Sequence, residues 1–320
     1  MSTARYSNEV FSKTIEREDR YTVLMKRMLI LGAGGFAGKN LYEFFLRFPN
    51  EYEIDAPKSS ELDLLEQDTV SSYLDKGNYD VVINAAVCNP RRASFKQNAS
   101  ELECDLRMYY NLERCSDKFG KMLYFGSGAE YDKRYPICEV AEDDIGKSIP
   151  ANDYGLAKYI IGKSIENSRN IYNLRIFGLF GKYENWRTTF ISGACCKALK
   201  GLPITIRKNV FFDYMYIDDF CRIVKHFVDN DVKHHTYNMS TGKKIDLVSI
   251  AQTVKKICNA DVPVYVCSEG LANEYTATNK RLLEELGSFD YSDFESSVAA
   301  LAEYYRSIDG DVDIMSLLYQ

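Results

Sequence analysis

Short apolar runs alternate along the chain with segments whose apolar residues recur at helical spacing. From Lys26 onward, Met28-Leu29-Ile30-Leu31 reads as a strand, then comes a glycine-rich turn, then a helix period through Leu41, Phe44, Phe45 and Phe48 that Pro49 ends. Tyr52 to Ala56 reads as a second strand, Thr69 to Leu74 as helical, Val81-Val82-Ile83 as a buried strand and Leu102 to Cys115 as a helix. Met122 to Phe125, Tyr154 to Ile165 and Ile171 to Phe177 continue as strand, helix and strand. Continuous apolar strands separated by helices predict an α/β fold with a doubly wound parallel Rossmann sheet covered on both faces.

Beyond Phe177 the alternation loosens, with a strand-like Phe212 to Ile217 and a final block of short elements. This part is expected to form a smaller α/β substrate lobe interleaved with the sheet domain. The expected division is an N-terminal extension over 1–24, a dinucleotide-binding domain over 25–177 plus 211–241, a substrate lobe over 178–210 plus 242–308, and a tail over 309–320.

Composition narrows the picture. Hydrophobic content of 46% and charged content of 27% suit a globular chain. No run approaches the roughly 18 to 20 apolar residues of a membrane span, and the charged first 25 residues do not resemble a signal peptide. A cytoplasmic enzyme without membrane contact is expected. A net charge of −6 without a Lys/Arg run offers nucleic acid no electrostatic footprint. Nine Cys without a CxxC pair, and three His, predict reduced thiols and no metal site.

The chemistry starts at the turn Leu31-Gly32-Ala33-Gly34-Gly35-Phe36-Ala37-Gly38, between the first strand and first helix. There Gly32 permits the tight turn, Gly35 lets the backbone approach a pyrophosphate, Gly38 lets helix pack on strand, and the helix N-terminus, from Phe36, presents unpaired N–H groups. A nicotinamide dinucleotide is the expected occupant. At the end of the second strand, Asp55 is placed to accept from ribose hydroxyls and repel a 2′-phosphate, whereas Lys58, Ser59 and Ser60 are placed to hold one. Asp63 reads equally well as a solvated carboxylate or as a cofactor contact.

Tyr154 and Lys158 form a YxxxK pair one helical turn apart, so both share a face. Lys158 is expected to lower the phenol's pKa and to reach the cofactor ribose, leaving Tyr154 as general acid/base. Tyr159 and Lys163 make a second YxxxK. Ser127, in Phe125-Gly126-Ser127-Gly128-Ala129, follows a buried strand at the end where doubly wound sheets bind ligands.

The GxxGxxG spacing of Gly32, Gly35 and Gly38, with the Pro-x-x-x-Tyr-Gly-x-Ala-Lys frame over Pro150 to Lys158 and Ser127 before it, resembles the extended short-chain dehydrogenase/reductases. Within these it is most similar to GDP-L-fucose synthase-like nucleotide-sugar 4-ketoreductases, then to nucleotide-sugar 4-epimerases. The resemblance spans about Lys26 to Gly287. It implies that Glu61-Leu62-Asp63-Leu64-Leu65 cradles the adenine through Asp63 and Leu64, that Ala85 and Ala86 after Asn84 border the cofactor, and that Ser127, Tyr154 and Lys158 are the catalytic trio. It tips the cofactor expectation towards NADP(H) over NAD(H), and it implies a homodimer formed through Leu102 to Cys115 and Tyr154 to Ile165.

Departures from the family pattern sharpen the expectation. Sugar dehydratases carry Thr-Asp-Glu where this chain has Ser127-Gly128-Ala129, so water elimination is not implied. The cysteine that GDP-L-fucose synthase uses for epimerisation is here Ala129, and 185–190 contain no His. Phe212 stands where the family places a phosphate-gripping Arg; Arg187, before Lys182 or Arg207, is the expected substitute. The expected reaction is NAD(P)H-dependent reduction of a 4-keto group on a nucleotide-activated sugar. A 4-epimerase with tightly held NAD is the alternative, and a non-catalytic dinucleotide sensor a more distant one.

Overall fold

The computed structural model describes residues 25–88 and 100–318, so the extension expected over 1–24 lies outside the described residues. In chain order the first strands are β1 (Lys26–Leu31), β2 (Tyr52–Asp55), β3 (Tyr79–Asn84), β4 (Phe119–Ser127), β5 (Ile137–Val140) and β6 (Ile171–Ile176). They are followed by β7 (Gly178–Phe180), β8 (Ile204–Asn209), β9 (Phe211–Tyr216), β10 (Thr236–Met239), β11 (Lys244–Asp246), β12 (Val264–Leu271) and β13 (Tyr275–Ala277). Six strands form one fully parallel sheet in the order β10-β6-β4-β3-β1-β2.

Alternate residues of each strand feed two cores. Met28, Ile30, Val81, Ile83, Leu123 and Phe125 face one side, against helices α1 (Phe36–Phe45) and α6 (Ile217–Asp229). Leu29, Leu31, Val82, Met122 and Tyr124 face the other, against α2 (Gln67–Gly77), α3 (Glu101–Glu113) and α4 (Asp153–Ile165). Both faces being dry is why the strands read as unbroken apolar runs. Each such side chain contributes about 1.5–3 kcal/mol by leaving water.

The second sheet runs β11-β9-β13-β5, with β7 beside β9, and β8 pairs only with β12. Its neighbouring core joins α5 (Phe190–Leu199), α7 (Leu247–Cys258) and α9 (Phe294–Ser307). Here the structure departs from the sequence-based division: Phe211–Tyr216 belongs to this second sheet, and so does Ile137–Val140 from within the first segment. The reason lies in burial. The edge position beside β6 goes to Thr236–Met239, buried at all its residues, whereas β9 buries only Asp213 and Met215 on alternate positions.

Candidate active site

The strand order reverses at β1, with β2 on one side and β3 on the other, and the crevice beyond these strand ends is where doubly wound sheets take ligands. Gly32 sits there at φ +79°, and a Cβ on it would stand 2.7 Å from the Ala85 carbonyl and the Ala86 amide nitrogen. A Cβ on Gly38 would run into the Gly32 carbonyl. Gly35 caps α1 without any side-chain hydrogen bond, so the first-turn amides stay available to an anion. A cleft of about 1220 Å³ opens here, lined by Gly32 to Gly35, Lys58, Ser59, Ser60, Asp63, Leu64, Ala85 and Ala86. This cradle fits the pyrophosphate and adenosine of a nicotinamide dinucleotide. Asp63 accepts from the Leu65 amide at 3.0 Å, fixing the loop it sits on.

The Phe36 side chain packs, partly buried, against the core, so what it offers an anion is its backbone amide, the first of α1. Asp55 stands elsewhere: its carboxylate accepts from the Tyr73 hydroxyl at 2.8 Å and from the Tyr79 hydroxyl, in a separate surface depression. The pleat turns this side chain towards α2, which position in sequence does not reveal. Gly38 acts through packing, as the turn requires.

Ser127 ends β4 and opens a short 3-10 turn, Gly128–Glu130. Its Oγ accepts from the Ala129 amide at 3.1 Å, while its own N–H donates to Glu130 Oε1 at 3.1 Å. Glu130 is fully buried and pairs with Arg175 Nε at 2.8 Å, and Asn173 Nδ2 donates to both carboxylate oxygens at 3.1 Å. Arg175 Nη1 also donates to the Tyr131 hydroxyl at 2.8 Å and to Asn238 Oδ1 at 3.1 Å. The floor beneath Ser127 is thus a hydrogen-bonded ion pair that fixes the turn carrying the serine.

Tyr154 lies in the first turn of α4, which Asn152 caps by accepting from the Gly155 amide at 2.8 Å. Its phenol faces the Ser127 side chain closely enough for Ser127 to act on its ionisation. Lys158, one turn on, donates to the Tyr124 hydroxyl and the Phe125 carbonyl, both at 2.9 Å, and stands 5.8 Å from the centre of the Tyr154 ring. The trio is therefore brought together, but its electrostatics correct the expectation. Burial pushes the Tyr154 phenol up rather than down, helped by the Asp105, Glu130 and Glu101 carboxylates and opposed by Ser127. Lys158 is pulled below its ordinary value by burial, against the same three carboxylates. Its ammonium is spent on Tyr124 and Phe125, not on the phenolic oxygen.

Asp105 is buried beside this group; Oδ1 accepts from the Cys88 amide at 2.8 Å and Oδ2 has no partner among the described residues. The second YxxxK is spent otherwise, since Lys163 pairs with Glu166. Of the expected phosphate-gripping cations, Lys182 is paired with Glu43 at 2.5 Å, Arg187 is exposed and stacked over Trp186 at 4.0 Å, and Arg207 is exposed on β8. Sequence patterns do not mark Tyr275, whose hydroxyl lies against the turn carrying Ser127, or Lys133, whose ammonium stands 4.4 Å over the Tyr275 ring. Tyr275 lies in a three-residue strand within a polar stretch, where no periodicity marks it. The spacing of Lys133 six residues after Ser127 was the one available signal.

A family model described as "NAD dependent epimerase/dehydratase family" matches residues 28–240. The chain is 25% identical over 305 residues to a GDP-L-colitose synthase of Yersinia pseudotuberculosis, covering 87% of this chain and 97% of that protein. It is 24% identical over 294 residues to an ADP-L-glycero-D-manno-heptose-6-epimerase of Brachyspira hyodysenteriae, covering 82% and 92%. Among solved structures, a GDP-L-fucose synthetase from Naegleria fowleri bound to NADP superposes with a TM-score of 0.76 at 17% identity, over 89% of this chain and 95% of that one. This last likeness concerns the fold.

Proposed function

The chain belongs to the NAD dependent epimerase/dehydratase family and is an NAD(P)-dependent enzyme, and from that premise we propose that it reduces a 4-keto group on a nucleotide-activated deoxysugar. The observation that carries the reading is the meeting of Ser127 and Tyr154 at the C-terminal end of β4, with Lys158 behind them and the glycine cradle alongside.

A bound nicotinamide supplies the hydride. The chain's own residues do the rest. Ser127 donates to the carbonyl oxygen and holds it against Tyr154, which gives up its phenolic proton as charge develops there. Lys158 keeps a positive charge behind the phenol and offsets the phenolate left by that transfer. The phenol is protonated at neutral pH, as a general acid for carbonyl reduction must be, and its burial keeps it so. Epimerisation, which must begin by removing a proton from the sugar hydroxyl, is the second reading; the heptose-6-epimerase among the relatives keeps it in play.

The occupation of Asp55 by two tyrosines supports NADP(H): the cleft presents Lys58, Ser59 and Ser60 near the ribose end and not that carboxylate. For the sugar diphosphate, Lys133 over the Tyr275 ring is the cation favoured, because Arg187 is stacked on Trp186. Helices α3 and α4 pack on each other and offer the face for a homodimer, which the solution mass at micromolar concentration tests.

The decisive experiment is NADPH and NADH oxidation with a panel of 4-keto-6-deoxy sugar nucleotides, after extraction of any cofactor carried through purification. Oxidation that vanishes in Tyr154→Phe supports the reductase. Stoichiometric bound NAD with sugar interconversion and no net oxidation replaces it with the epimerase.

A further inference from the structure

Ser127 must offer its proton outward, and a hydroxyl has one hydrogen and two acceptor sites to distribute. The Ala129 amide fills one acceptor site at 3.1 Å. The Tyr275 hydroxyl stands against the turn that carries Ser127, close enough for the two side chains to act on each other. Its ring is held by Phe177 at 5.1 Å, by Phe212 at 5.8 Å and by the Lys133 ammonium at 4.4 Å between centres. The phenol lies so close to the serine's own turn that a Cβ on residue 128 would stand 2.5 Å from its oxygen. Residue 128 is glycine, and the contact is accommodated.

We propose that Tyr275 is a positioning residue of the active site: its phenol donates to Ser127 Oγ, fills the remaining acceptor site, and leaves the serine proton aimed outward, at Tyr154 until substrate binds and at the substrate oxygen thereafter. The two tyrosines on Ser127 therefore have opposite duties. Tyr154 exchanges its proton during the reaction, and Tyr275 keeps its own. Burial pushes the Tyr275 phenol far above its ordinary value, so it remains a donor throughout the working range. Without it, Ser127 has a free acceptor site and can turn to receive from Tyr154, which withdraws the serine proton from the carbonyl oxygen. This inference rests on the trio reading above and adds a residue that the family motifs do not contain.

The test has an activity arm and a spectroscopic arm. In the first, Tyr275→Phe is expected to lower kcat about tenfold, less than the ~10²–10³ lost with a direct oxyanion donor, with KM for NADPH unchanged. In a Ser127→Ala background the same substitution is expected to change nothing further, because its route is gone. Equal kcat in Tyr275→Phe and the parent protein, or a full additional loss in the double variant, overturns the inference. The second arm follows carbon-13 resonances of tyrosine Cζ and needs no substrate. Ser127→Ala should move the Tyr275 and Tyr154 resonances, Tyr275→Phe should move that of Tyr154, and the double variant should move Tyr154 no further than Ser127→Ala alone. A Tyr275 resonance that ignores Ser127→Ala overturns the proposal even where Tyr275→Phe fails to fold. Absence of any ketoreductase activity in the parent protein removes the proposed function, while the resonances still decide the role of Tyr275.

Discussion

Two buried carboxylates, one in each half of the molecule, are handled in opposite ways. Glu130, under the catalytic serine, is matched by the Arg175 guanidinium, by Asn173 and by the Ser127 amide, so its oxygens are held by fixed partners. Glu184, in the lobe, is almost as deeply buried, accepts from Ser192 and has no cation partner among the described residues. Burial pushes its carboxyl up to about 7, so near neutral pH it is poised between states. Where direction matters, the protein keeps an ion pair and its fixed hydrogen bonds. Where only filling matters, a carboxyl that can hold its proton is sufficient.

The largest expected effect breaks the first member of that comparison. Arg175→Met leaves Glu130 buried and unmatched, and should cost about 3–5 kcal/mol in denaturant unfolding. Adding Glu130→Gln should return most of it while leaving kcat depressed, since the serine turn has lost its anchor. A single variant as stable as the parent would show that the pair is not holding the floor.

Next comes the other member, through pH. A folded pKa near 7 against an unfolded value near 4.5 means the native state binds the extra proton. Stability from Glu184 is then fully present below pH 4.5 and is lost as pH rises through 7, by about 3 kcal/mol in all. Glu184→Gln should remove that decline and be the more stable protein at pH 8. Identical stability-against-pH curves for the two proteins would refute the assignment.

Smaller effects test the rims of the two halves. Lys133→Ala should raise the KM for the sugar nucleotide about tenfold, equivalent to 1.4 kcal/mol, while Arg187→Ala changes it less than about twofold. The reverse order would return the phosphate to Arg187. Smallest is Lys58→Glu on the cofactor side: about a fivefold loss of preference for NADPH over NADH, an exposed-charge effect near 1 kcal/mol that shrinks with added salt.

What the sequence revealed and what it hid follow the range of the interactions. The glycine turn, the helix carrying Tyr154 and Lys158, and the strand delivering Ser127 are local patterns, and the structure places them as their spacing indicates. Asp55 is different, because which phenols claim its carboxylate depends on α2 and β3 folding back beside β2. The phenol's raised pKa was equally hidden: a Lys one turn away suggests a lowered value, but burial and three carboxylates from other segments decide it. Strand β9, within the 211–241 segment expected in the dinucleotide-binding domain, pairs in the second sheet, because its apolar stretch says nothing about which edge it joins. Tyr275 and Arg175 were invisible as site residues for the same reason, since their partners lie far away in the chain.

Strand β13 takes the central place between β5 and β9, both made earlier. On a ribosome adding roughly 5–20 residues per second, Ser127 emerges on the order of ten seconds before Tyr275. A nascent chain in that interval already holds the glycine cradle and the whole Ser127, Tyr154 and Lys158 set, but its second sheet has an open slot beside the serine. Activity should therefore arrive only after β13 has been made, and chains released before residue 275 should be inert even though they contain every motif by which the family is recognised.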